Sequence, residues 1–167
     1  DMTGGVILDV NDYSDYVVGP TSSNFGAYMG YMGDWNNNGY DDILVSAPGE
    51  DGLDSTGAVV DNGGVVYLID VSDISGATTV TDIALATFYG EELGGRIKPN
   101  RQTGDYDNDG VPDIAIAQVG TVTINAISSS IHMFLGSDIQ NGGSYLMSEG
   151  SAQIISRSGT TDYLGES

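Results

Sequence analysis

The chain has no cysteine, so no disulfide closes any of its loops, and thiols say nothing of its redox compartment. Basic residues are nearly as scarce. Four Lys and Arg stand against 24 Asp and Glu, a formal net charge of −20 that repels nucleic acid and anionic membrane surfaces. No apolar run approaches the roughly 18–20 residues of a membrane-spanning helix, and no basic-then-apolar leader precedes Asp1. No nucleic-acid partner and no membrane insertion are expected, and the chain is expected to be either mature or excised from something longer. Only four prolines and no G-X-Y period exclude collagen, while 40% hydrophobic residues argue against disorder.

What is abundant is glycine, 25 of 167 residues, and acidic side chains gathered at two places. The first is Asp34 to Asp42, DWNNNGYDD, and the second is its near copy Asp105 to Asp113, DYDNDGVPD. Both follow D-x-[DN]-x-[DN]-G-x-x-D. Alternate residues of a tight loop aim their oxygens at one centre, and the glycine (Gly39, Gly110) lets the backbone turn so that the next carbonyl joins. The spacing predicts two calcium sites: Asp34, Asn36, Asn38, the Tyr40 carbonyl and Asp42; then Asp105, Asp107, Asp109, the Val111 carbonyl and Asp113. A hard cation with six to eight oxygens at roughly 2.3–2.6 Å suits such a shell, calcium before magnesium. With no Cys or His in either loop, zinc and copper lack their usual ligands. An EF-hand is excluded because its twelfth position, a Glu, is Val45 or Ile116 here, and because ILVSAP and IAIAQV read as strands.

The loops belong to a longer repeat. Phe25-Gly26 stands nine residues before Asp34, Gly94-Gly95 stands in the equivalent place before Asp105, and Leu164-Gly165 opens a third copy, a period of about 70. A Gly-led strand is the second landmark: GGVILDVND from Gly4, GGVVYLIDVSD from Gly63 and IHMFLGSDI from Ile131. Apolar runs at Tyr16 to Val18, Ala84 to Tyr89 and Ala152 to Ile155 follow in turn. Four short strands per unit with no helical periodicity predict an all-β chain of antiparallel propeller blades, about two and a half of them. The predicted boundaries are 1–24 for the outer half of a preceding blade, 25–93 and 94–163 for two full blades, and 164–167 for the start of another.

FG, then GD-x-N-x-x-G-x-x-D, then SAP, then G-x-VYL resembles the FG-GAP repeat of integrin α-subunit propellers and their bacterial relatives, most closely from Phe25 to Asp70 and again from Gly104 to Leu135. The resemblance implies calcium bound between the first two strands of each blade and a non-enzymatic role in adhesion or protein recognition outside the cell. It departs from the family at Gly94, where Phe is lost, and at Ala117 to Val119, where AQV replaces GAP. Asn36 and Asn38 replace charged ligands, so the first loop is expected to bind calcium more weakly than the second. Two other roles stay open: a self-assembling extracellular subunit joined to copies of itself through open blade edges, and a propeller that binds or acts on glycans.

Several further residues carry expectations. The stretch Glu50 to Asn62 reads as a solvated acidic hairpin, with a third cation site as the alternative. His132 reads as a strand-surface histidine, with no G-x-S-x-G nucleophile to serve. Tyr28, Tyr31, Trp35, Tyr40, Tyr67 and Tyr89 read as rings packed between blades or bracing loops. Arg96, Lys98 and Arg101 read as a basic group offsetting the second loop, with binding of an acidic partner as the alternative.

Overall fold

A computed structural model describes residues 14–101, 103–119 and 127–158. The strand expected from Gly4 and the Leu164-Gly165 step lie outside the described residues. The strands, in chain order, are β1 (Tyr16–Val18), β2 (Met29–Gly33), β3 (Asp42–Ala47), β4 (Gly52–Leu53), β5 (Val59–Val60), β6 (Val65–Asp70), β7 (Ala77–Thr79), β8 (Ala84–Tyr89), β9 (Arg96–Pro99), β10 (Ile114–Val119), β11 (Ile127–Phe134), β12 (Gly143–Leu146) and β13 (Ala152–Ser158). Single helical turns, such as Val80–Ile83 and Gly136–Ile139, are the only helices described.

Two antiparallel meanders of four strands dominate. In the first, β2, β3, β6 and β8 pair in that order; in the second, β9, β10, β11 and β13 do. The fold is therefore mainly β, and among the described residues the sheets do not close into a ring. β4 and β5 form a separate hairpin whose turn is braced by Asp54, which accepts hydrogen bonds from Thr56 N (2.8 Å), Thr56 Oγ1 (2.6 Å) and Ala58 N (2.9 Å). The tip of the acidic stretch is thus a turn closed by Asp54.

The run VVYLID is apolar throughout because β6 is covered on both faces, and its alternate side chains enter two different cores. Val66 and Leu68 join Met32, Trp35, Leu44, Phe88, Ile97, Ile114, Ile116 and Phe134 between the two meanders. Val65, Tyr67 and Ile69 join Val45, Ala47, Val80 and Ile83 on the opposite face, where Val17 and Phe25 also pack. Phe25 of the Phe-Gly landmark meets Tyr67 edge-on at 6.2 Å. Phe88 lies 4.8 Å from Phe134 and stacks on Tyr145 at 5.6 Å, closing the space between the meanders with aromatic contacts.

Two short strands join one repeat unit to the next. β12 adds to β8 in parallel, and β7 adds to β1 in the same sense, one repeat earlier. The equivalence is physical: in each unit, the segment after the third meander strand reaches back to the last strand of the preceding unit. Glu91 reinforces the outer junction by accepting from Ser148 N (2.6 Å) and Ser148 Oγ (3.0 Å), and Tyr31 N donates to Arg101 O (3.0 Å) at the inner one.

Candidate metal centre

Each acidic loop connects the first two strands of its meander, β2 to β3 and β9 to β10, as one repeated backbone design. In the first, Asn38 N and Gly39 N donate to the two carboxylate oxygens of Asp34 at 2.8 and 2.9 Å. In the second, Asp109 N and Gly110 N donate to Asp105 at 3.0 and 2.9 Å. Asn38 N also reaches Asn36 Oδ1 and Tyr40 N reaches Asn38 Oδ1, at 3.1 and 2.8 Å. Asp109 N to Asp107 Oδ1 and Val111 N to Asp109 Oδ1 repeat those distances, 3.1 and 2.8 Å. Left-handed backbone recurs at Asn37 and Asn108 (φ 59° and 63°) and at Gly39 and Gly110 (φ 92° and 91°), and the wider of these φ values favours glycine.

This turn geometry gathers carboxylates that repel one another. Oxygens of Asp105, Asp107 and Asp109 all lie within 4.8 Å of one another, an exposed group able to hold a metal ion. Desolvation inside the loop, followed by the charges of Asp109, Asp113 and Asp105, holds the Asp107 carboxyl above its ordinary range. A bound cation would remove that repulsion, and an all-oxygen donor set suits calcium.

The last Asp of each pattern has a different place from the other three. Asp113 is fully buried beneath the loop, where its two oxygens accept from Tyr106 N (2.5 Å) and Gly136 N (2.8 Å). Gly136 passes so close that a Cβ there would run into the Pro112 carbonyl. Asp42 is fully buried too, and its Oδ2 accepts from Trp35 N (2.8 Å) and Asn36 N (3.4 Å), but its Oδ1 has no partner. Burial, together with the charges of Asp70 and Asp34, pushes the Asp42 carboxyl up despite those two N–H donors. A buried carboxylate oxygen with no donor is costly unless a positive group or proton meets it. The Asp105, Asp107 and Asp109 group could therefore hold a metal ion, and the orphaned Asp42 oxygen is a feature of the first loop.

Asp70 is the site residue that sequence reasoning missed. It ends β6 directly across from Asp42. Its Oδ2 accepts from Asn36 Nδ2 (2.6 Å) and Asn38 Nδ2 (2.5 Å), and its Oδ1 accepts from Ser72 N (2.8 Å). Burial raises the Asp70 carboxyl, but the donors from Ser72, Asn36 and Asn38 outweigh it and leave the group below its ordinary range. The available signal was the run VYLID, where a charge ends an apolar strand one register step from the loop.

Other expectations need correction. His132 is buried, 4% exposed, with Ser130 Oγ 2.7 Å from its Nε2, because the turn at Met147–Glu149 packs against that face of β11. Lys98 sits 5.5 Å above the Tyr28 ring, a cation–π contact. Among the aromatics, Trp35 and Tyr67 are buried, but Tyr28, Tyr31 and Tyr40 are exposed. Comparison with protein-family models and with curated proteins gave no match for the chain.

Proposed function

We propose that this chain is a calcium-stabilised, non-enzymatic FG-GAP propeller segment that serves adhesion or protein recognition outside the cell. The observation that carries the reading is the double occurrence of one loop, with the same hydrogen bonds and the same backbone, between the first two strands of successive four-stranded meanders. Each meander corresponds to a blade.

Asp105, Asp107 and Asp109 would hold one calcium, joined by Asp113 and the Val111 carbonyl; Asp34, Asn36, Asn38, the Tyr40 carbonyl and Asp42 would hold the other. Calcium supplies charge neutralisation and a fixed turn. The chain's own residues do the remainder: buried Asp42 and Asp113 tie each loop to the meander, and the two cores keep successive blades in register. The product is a rigid acidic surface, with Tyr28, Tyr31 and Tyr40 exposed, suited to a protein partner. The test is thermal unfolding in millimolar calcium and in chelator, followed by capture of the partner at both conditions. Calcium that leaves the melting temperature unchanged would sink the reading.

A second reading, self-assembly, is favoured by the parallel edge pairing of β7 on β1 and β12 on β8. β13 holds in the second meander the place that β8 holds in the first, and no described strand covers its outer edge. An uncovered edge recruits another strand. Native mass by light scattering separates the readings: a calcium-dependent oligomer favours assembly and a monomer favours a segment of a longer propeller. Glycan binding on the exposed tyrosines is the third role, and a glycan array tests it.

A further inference from the structure

The two loops share a backbone but solve their charge problem differently, and the difference lies outside the loops. In the second loop the third and fifth positions are Asp107 and Asp109, and the residue that follows the third strand is Leu135. In the first they are Asn36 and Asn38, and the residue in the corresponding place is Asp70. The correspondence is one of structure: Asp42 pairs with Asp70, and the step after the Ile114–Phe134 pair sets Asp113 against Leu135. Both residues precede a helical turn with extended backbone (φ −77°, ψ 115° and φ −71°, ψ 134°). One repeat therefore carries Asn, Asn and Asp where the other carries Asp, Asp and Leu.

A carboxamide can present either its oxygen or its nitrogen to a cation, and only the oxygen can ligate. In the first loop both carboxamide nitrogens are bound to the same oxygen of Asp70, which turns both Oδ1 atoms the other way. Those oxygens accept from Asn38 N and Tyr40 N at 3.1 and 2.8 Å, matching Asp107 and Asp109. Asp70 also holds Ser72 N, and Ser72 Oγ takes a further bond from Asn38 Nδ2 at 3.2 Å, so the carboxylate is itself fixed. An independent feature points to a cation at this loop. Asp42 Oδ1 is buried without a partner, whereas the matching oxygen of Asp113 is satisfied by Gly136 N.

We propose that Asp70 is the positioning residue of the first cation site, an outer carboxylate that orients the Asn36 and Asn38 oxygens toward the ion. The proposal rests on the reading that these loops take calcium. It makes the residue at the end of the third strand the determinant of loop chemistry: an acid there suits carboxamide ligands, and an apolar residue there suits carboxylate ligands. Outer-shell partners of metal ligands typically change metal affinity by roughly ten- to a hundred-fold when removed.

Terbium, a luminescent stand-in for calcium, reads the first site selectively through Trp35, the one tryptophan of the chain, which lies within that loop. Calcium titration by calorimetry counts both sites. Asp70→Leu is expected to weaken Trp35-sensitised terbium binding by roughly ten-fold or more and to leave one calcium bound per chain. The triple change N36D/N38D/D70L, which installs the second loop's set, is expected to restore Trp35-sensitised binding. That rescue separates positioning from a merely structural role, because Leu at 70 still cannot accept from Ser72 N. Affinity of D70L close to that of the unaltered chain, or a triple variant as weak as D70L, would overturn the proposal. If Leu at this position prevents folding, Asp70→Asn keeps the shape and lowers the acceptor strength, and unchanged terbium affinity there overturns it equally. Binding at the second loop alone in the unaltered chain refutes the role of Asp70, whereas binding at neither loop refutes the calcium reading itself.

Discussion

Replacing Asp113 by Ala separates the two jobs that the acidic loops perform. Its carboxylate is fully buried and accepts two backbone N–H groups, from Gly136 in the interior and from Tyr106 at the loop entrance. A buried donor left without an acceptor costs about 1–3 kcal/mol, and one that water reaches costs toward the lower end. Together the two losses come to about 2–4 kcal/mol. At about 2–4 °C per kcal/mol for a chain of this size, the melting temperature should fall by roughly 4–16 °C. Because the lost bonds belong to the protein alone, the fall should be present in chelator. Asp107→Ala is the contrast. That side chain is exposed, and among its hydrogen bonds within the loop is the one from Asp109 N at 3.1 Å. In chelator its loss should change stability by no more than about 0.5 kcal/mol. In 10 mM calcium, a site of roughly millimolar to tenth-millimolar affinity contributes about 1.4–2.7 kcal/mol by linkage, and the variant should lose that amount. Differential scanning calorimetry of both variants, with and without calcium, checks the pair. A D113A variant as stable as the unaltered chain in chelator, or a D107A variant equally weakened in both conditions, would refute the reasoning.

The other predictions concern the core, the histidine and the buried glutamate. Leu68→Ala removes a fully buried side chain between the meanders and should cost about 2–5 kcal/mol, read by denaturant unfolding. His132 is buried, and desolvation pushes its imidazole below the ordinary 6.5. Its neutral form is therefore favoured by folding, so stability should be lost as pH falls from 6.5 through the lower folded value; an NMR titration midpoint above 6.5 would contradict this. Tyr67→Phe should cost about 1–2 kcal/mol, because Tyr67 Oη donates to Glu50 Oε1 at 2.7 Å and Glu50 is half-buried with its other oxygen unpartnered. The same burial pushes the Glu50 carboxyl up, more than the tyrosine's hydrogen bond pulls it down, so the variant should titrate higher still, as NMR of the side-chain carboxyl would show.

Much of the strand pattern was legible because each element carried a strong local signal. VVYLID and ALATFY coincide with β6 and β8, and Tyr16 to Val18 coincides with β1. The loops were legible for a related reason: oxygen-bearing side chains at alternate positions plus a glycine at the left-handed turn leave few other conformations. What escaped was long-range. The strands β7 and β12 are short and polar, ATT and GSYL, and pair only because a neighbouring unit offers its edge. Asp70 lies far along the chain from Asn36, and its role follows from strand register, which no local pattern contains. His132 looked exposed because alternation along IHMFL puts it on the face opposite Ile131 and Met133. That reading lacked the turn at Met147–Glu149 that packs against that opposite face.

The most direct test of the central claim is the count of calcium ions by calorimetric titration of the intact chain after chelation. The account predicts two ions per chain and a melting temperature that rises with their binding, with one ion lost in a variant lacking both Asp107 and Asp109. No binding in the millimolar range, or binding that survives that double change undiminished, would contradict it.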